Sequence, residues 1–247
     1  MTARLMPILF AETGAELRQS FRAPEFLLPT LALPSIFYLL FGITLTSGGS
    51  DVATYLLATY GVFAVMGPAL FGFGAGVASE REKGWLNIKR TSPAPAASFI
   101  GAKLFATLVF ASLALIPIYI AAGFLGDVAL PRAGWFLLLG SHLLAVIPFS
   151  LLGLAIGFRF SSGASIAVAN IFFLGLAVLG GLWFPLRMFP DFLQKLAMGL
   201  PSFHLAEVSL GIVNAPGDRS SVFHLIAIIV ISLVLLGIAI FSWSRQR

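Results

Sequence analysis

Residues 79–98 read SEREKGWLNIKRTSPAPAAS, the most hydrophilic stretch of a 247-residue chain, and they lie between two long apolar runs. The chain around them is 59% apolar and only 10% charged, with a mean hydropathy of +1.00. Soluble domains carry roughly 25% charged residues. A spanning helix takes about 20 apolar residues, so this length accommodates about six spans and leaves no room for a separate soluble domain. The expectation is an all-α membrane protein, a single domain over residues 1–247, with residues 79–98 forming a short helix on the cytoplasmic face.

Working outward from that stretch, the apolar runs predict spans over Phe26 to Leu45, Ala53 to Val77, Phe99 to Phe124, Trp135 to Phe158, Ser165 to Phe184 and Phe223 to Trp243. Pro29 and Pro34 are tolerated breaks in the first. Gly72-Phe-Gly-Ala-Gly76 has no preceding strand to make it a phosphate loop, so its glycines are read as close helix packing. Ahead of the first span, Leu5, Leu9, Leu17 and Phe21 fall on one helical arc, with Arg4, Arg18 and Arg22 opposite. This segment is either an interfacial helix against anionic lipid or a solvated tail. Glu12, Glu16 and the lack of a cleavage site argue against a removable signal peptide, which leaves the first span as the insertion signal.

Positive charge tests the layout, since cytoplasmic loops carry the excess of Lys and Arg. With both termini inside, Arg4, Arg18, Arg22, Arg81, Lys83, Lys89, Arg90, Lys103, Arg159, Arg245 and Arg247 are cytoplasmic, against Arg132, Arg187, Lys195 and Arg219 outside. The net charge of +5 is thus a matter of topology, and no nucleic-acid partner is expected. Between the last two spans, Pro185 to Val213 is too apolar for a loop and too interrupted by Pro190, Gly199 and Pro201 for a span. It is read as an outer re-entrant or interfacial pair of short helices.

Chemistry-bearing motifs are missing. There is no cysteine, no GxxxxGK[ST], no HExxH and no GxSxG, so neither catalysis nor a cofactor on this chain is expected. His142, His204 and His224 are far apart in sequence and are read as interfacial anchors or hydrogen-bonded histidines rather than metal ligands. The span centres hold no Asp, Glu, Lys or Arg to couple an ion. Asn170 is the clearest polar residue within a span; it either lines a pathway or makes an interhelical hydrogen bond.

The segment Glu80-Arg-Glu-Lys-Gly84, followed by basic residues, Ser92-Pro93 and Gly101-Ala-Lys103, resembles the signature of type-2 ABC transporter permeases. Gly181-Leu-Trp-Phe-Pro185, Phe189-Pro190, Leu200-Pro201 and His204 are similar to that family's outer hairpin. The resemblance implies a cytoplasmic coupling helix involving Glu80, Arg81, Glu82, Gly84, Trp85, Lys89, Arg90 and Pro93, and a re-entrant hairpin involving Phe184, Pro185, Phe189, Pro190, Pro201 and His204. It also implies a separate ATPase subunit in two copies, holding ATP and Mg, and a second permease copy in a homodimer within the cytoplasmic membrane. Family members carry Thr or Ser where this chain has Trp85, and a large aromatic there suits an anchor in a partner's pocket. Within the segment, Glu80 and Glu82 early and Lys89 and Arg90 late match a helix macrodipole, with Pro93 and Pro95 as the stop. A plain positive-inside anchor is the simpler reading of the basic residues. An ion-coupled carrier or channel and a non-transporting scaffold are the rival functions.

Overall fold

Backbone in hydrocarbon must satisfy its own hydrogen bonds, and the computed structural model of residues 5–21, 24–45, 49–86, 96–215 and 221–244 is built from helices, with no strand among them. In chain order these are α1 (Leu5–Phe21), α2 (Pro24–Phe37) running into a π-helix (Tyr38–Thr44), α3 (Gly49–Glu82), α4 (Ala96–Phe124), α5 (Arg132–Leu144), α6 (Val146–Arg159), α7 (Ser162–Leu179), α8 (Asp191–Ala197), α9 (Pro201–Ile212) and α10 (Ser221–Ser244). Five stretches are long and apolar enough to cross a membrane: α3, α4, α5 with α6 as one run, α7 and α10. The first expected span falls on α2 and its π-helical continuation, where the apolar helix Thr30–Thr44 is shorter than those five. The Tyr38 hydroxyl pins that continuation by donating to the Ala53 carbonyl at 3.1 Å.

α3 is the axis. Its most apolar window is 89% buried, against 11% for α10, and it packs on α2, α4, α6, α7 and α9. Its closest approach backbone to backbone is with α6, at Gly153 and Gly157. A Cβ on Gly153 would stand 2.8 Å from the Leu70 carbonyl oxygen, and one on Gly157 would stand 2.7 Å from that of Gly74. The two backbones touch because neither glycine has a side chain. Of the glycines expected to pack closely, Gly74 faces Gly153, while Gly72 and Gly76 face Thr107 and Lys103 of α4.

Several boundaries differ from the sequence expectation. α3 continues past Val77 to Glu82, so its 34 residues rise about 51 Å at 1.5 Å each, well beyond a hydrocarbon core of about 30 Å. The fifth span begins at Ser162 and stops at Leu179, where the chain turns through Gly180 and Gly181 at φ +74°. The fourth is broken at Ala145, and Pro148 supplies no N–H to the Leu144 carbonyl. α1 also contacts the bundle. Thr13 and Glu16 are buried, whereas Met6, Phe10 and Phe21 are exposed. Leu9 lies beside Gly101, Glu16 pairs with Lys103 and the Phe21 ring meets Phe110, so α1 runs along α4.

The Pro185–Val213 stretch forms short helices, each opened by a proline. Pro185 precedes a 3-10 turn (Leu186–Met188) that Phe189 closes, Pro190 caps α8, and Pro201 is the first residue of α9. Phe184 and most of α8 are exposed, while α9 is buried almost throughout between α3, α5, α7 and α10. Gly157→Ala and Gly153→Ala should each cost about 1–3 kcal/mol by forcing α6 off α3. Thermal unfolding in detergent should show both melting lower, while Gly163→Ala, with open space at its Cβ, stays at or above the parent value.

Candidate functional site

The last turn of α3 carries Glu80, Arg81 and Glu82, and this corrects the macrodipole reading. These residues close a long helix instead of opening a short one. Gly84 at φ +73° is the left-handed stop, its N–H bonded to the Arg81 carbonyl at 3.0 Å. Carboxylates are unfavourable at a helix C-terminus, so each must be satisfied by something outside α3.

Glu82 and Arg81 are satisfied by the ends of neighbouring helices. The Glu82 carboxylate accepts the Ser162 N–H at 3.0 Å, at the positive end of α7. The Arg81 guanidinium donates to the Phe158 carbonyl and, at 2.7 Å, to that of Phe160, at the negative end of α6. One turn of α3 thereby caps α6 and α7. Arg159, the last residue of α6, donates to Ser242 of α10 at 2.9 Å, adding a third helix end.

Glu80 is buried, and so are Lys103 and Glu16. The Lys103 ammonium donates to Glu80 at 2.6 Å and to Glu16 at 2.7 Å, tying α1, α3 and α4 together. Gly76 lies beside it, where a Cβ would make an ordinary contact with Lys103 Nζ at 3.7 Å. Charges this far from water are kept only with partners, because desolvation costs several kcal/mol per ion. In the sequence Lys103 stands among the positive-inside charges and in the Gly101-Ala-Lys103 motif, and Glu16 among the residues that argue against a signal peptide; neither is marked as the other's partner. The available signal was a lysine placed a full turn inside an apolar helix.

Beyond α3, Trp85 is 52% exposed. Lys89, Arg90 and Pro93, with residues 87–95 of the expected coupling helix, lie outside the described residues. Beside the ion triad, a cavity of about 410 Å³ runs between α1, α2, α3, α4 and α7. Hydroxyls of Ser20, Thr30, Ser79 and Thr107 line it along with Phe71, Phe110 and Ile166.

At the opposite end, histidines that looked scattered come together. His204 Nε2 lies 2.8 Å from the Met198 carbonyl, so it carries the proton and donates. Its Nδ1 lies 2.9 Å from His224 Nδ1, a hydrogen bond that joins α9 to α10. His142 is buried and bonded through both ring nitrogens, to the Ala58 carbonyl and the Tyr119 hydroxyl, each at 3.0 Å. Its ring fills the space left by Gly61, where a Cβ would stand 2.0 Å from it. Asn170 sits on the exposed face of α7, donating to Ile166 within its own helix at 3.1 Å. No group of three or more potential metal ligands occurs among the described residues.

Long apolar helices around a buried axis, with an ion-paired end, define a multi-pass helical membrane protein. Residues 33–241 match the family described as "ABC-2 family transporter protein". A Bacillus subtilis (strain 168) protein named "Putative transport permease YvfS" is 29% identical over 203 residues, covering 81% of this chain and 82% of that one. This chain belongs to the ABC-2 transporter family.

Lys103→Met leaves two buried carboxylates facing one another without a cation and should cost about 3–5 kcal/mol. Unfolding in detergent should show that loss, and most of it should return when Glu16→Gln and Glu80→Gln are added. A triple variant as unstable as Lys103→Met alone would show that the triad is not what Lys103 supports.

Proposed function

We propose that this chain is the transmembrane permease subunit of an ATP-driven exporter moving an amphiphilic or lipid-like substrate, such as a drug, a lipid or a lipid-linked glycan. Two such chains form a homodimer in the cytoplasmic membrane. Two ATPase subunits, holding ATP and Mg, bind at the Glu82 end, and the dimer alternates between inward-open and outward-open states. In this reading the whole chain is one domain of six spans, α2 with its π-helix being the first, and both termini are cytoplasmic. α8 and α9 are the outer re-entrant hairpin. The family supports the transport role, and one observation carries the coupling role: the last turn of α3 holds α1, α4, α6 and α7 through Glu80, Arg81 and Glu82, immediately before an exposed tryptophan. A push on the residues after Gly84 reaches four helices through ion pairs and caps, without needing to bend any of them.

The cavity beside the triad fits an amphiphile entering from that end, because hydroxyls and aromatic rings share its walls. Asn170, exposed on α7, faces outward, where a second copy would cover it and a pathway between copies would run.

Glu80 is unsuited to a test of coupling, since a basic residue there would place two cations in the triad. Trp85 is the direct test. Trp85→Ala should weaken ATPase binding by about 2 kcal/mol, roughly thirtyfold, with unchanged membrane insertion and unfolding temperature. Deleting residues 85–90, beyond the triad and the caps, should abolish co-purification of the ATPase. Transport driven by a proton or sodium gradient with no ATPase present would replace this reading with a carrier.

A further inference from the structure

The cavity beside the ion triad is sorted by polarity along its length, and three helices sort it the same way. On α3 its lining runs in helical steps from Pro68 through Phe71 and Ala75 to Ser79, and on to Lys83 just past the helix end. That stripe is about 22 Å long at 1.5 Å per residue. α4 runs antiparallel to it, with Lys103 beside Gly76 and Thr107 beside Gly72, so its Phe110 lies deeper in the cavity than either. α7 contributes Ser162 at the Glu82 end and Ile166 one turn further in. α3 is buried without a break from Leu56 to Leu70, whereas Phe71, Gly72, Ala75, Gly76 and Ser79 are only half-buried, and all five line this space.

Three charged groups line the cavity: Glu16, Lys103 and Lys83. Glu16 and Lys103 are buried and paired with each other. The triad's second carboxylate, Glu80, lines a different cavity, on the α10 side of Lys103. Lys83 is exposed at the polar end and makes no ion pair with any described residue. Its neighbour Glu82 is engaged by the Ser162 N–H. The cavity therefore has an apolar, aromatic depth and a mouth with one uncommitted ammonium beside the hydroxyls of Ser79 and Ser162. An anionic head finds there a cation and hydroxyl donors, while a cationic head meets a like charge.

We propose that this cavity selects anionic amphiphiles, with a single apolar tail lying along Ala75, Gly72 and Phe71 towards Pro68 and a phosphate or carboxylate head held by Lys83. This names a substrate class within the export reading above, and it rests on that reading for the ligand being cargo. Lys83 sets the head-group preference. Gly72 leaves room for the tail, because a Cβ there makes one ordinary contact, with Thr107 Oγ1 at 3.5 Å, and a longer side chain occupies the slot. The volume of about 410 Å³ suits one drug-sized chain.

The test uses the full chain in phosphatidylcholine nanodiscs, without ATPase or nucleotide, and dodecyl phosphate carrying a diazirine at its chain end. Photolysis should label residues 68–75 and 106–110 well above the exposed Phe172 of α7. Unlabelled dodecyl phosphate should compete about tenfold better than dodecyltrimethylammonium. Lys83→Glu should reverse that order, and Gly72→Leu should weaken both competitors, with unfolding temperatures like the parent's showing that the two variants are folded. Equal competition by the two heads, or a Lys83→Glu variant that behaves like the parent, would overturn the charge selection. Label as strong at Phe172 as at Phe71 would overturn the site. Phosphatidylglycerol that competes as well as dodecyl phosphate would make the occupant a resident two-chain lipid and overturn the cargo assignment. Binding is read without the ATPase, so the two readings fail separately. A chain that binds as expected yet exports no amphiphile with its ATPase would remove the export reading while the head-group preference stands. ATP-driven export of dodecyltrimethylammonium as fast as of dodecyl phosphate would overturn this inference and leave the export reading intact.

Discussion

A single ammonium, Lys103 Nζ, sits between two carboxylates whose positions lie 87 and 23 residues away in the chain. Removing Lys103 leaves two carboxylates buried without a cation, and removing either carboxylate releases its helix from the shared ammonium, so the positions of α1, α3 and α4 depend on one another. The attachment of α1 follows from it. The outward side chains of α1 include Met6, Phe10 and Phe21, and an apolar helix with so many contacts to spare could settle on the bundle in many ways. An ion pair accepts one register, at Lys103, and rejects the others.

The same economy of charge governs the end of α3. A helix that finishes on Glu-Arg-Glu places acid where its own dipole disfavours it, yet the dipoles of α6 and α7 end at the same level with opposite signs. Arg81 meets the carbonyl end and Glu82 the amide end. Charges that look misplaced on their own helix are well placed on their neighbours.

How much of this could be read beforehand follows from sequence distance. The spans were visible because each is a local property, some 20 apolar residues in a row, and the proline-opened helices after α7 were visible for the same reason. The end of α3 was misjudged because Glu80 and Glu82 look alike whether they start a helix or finish one; what decides is whether the preceding apolar helix continues through Ser79, and it does. Lys103 was visible as a charge but not as a partner, since Glu16 lies 87 residues away on a helix read as interfacial or as a solvated tail. His204 and His224 became neighbours only through the packing of α9 on α10. The Gly153 and Gly157 spacing was legible and went unused, because a small-residue repeat does not say which helix it will meet.

That glycine seam has a kinematic consequence. Where two backbones touch through Gly153 and Gly157, neither sliding by a residue nor rotation is open without driving a side chain into a carbonyl, so α3 and α6 move as one rigid spine. Any rearrangement of the bundle is therefore a motion of the outer layer about that spine, chiefly of α10 and α7, which share the least surface with the interior. The seam supplies the bearing, and the lipid-facing helices supply the stroke.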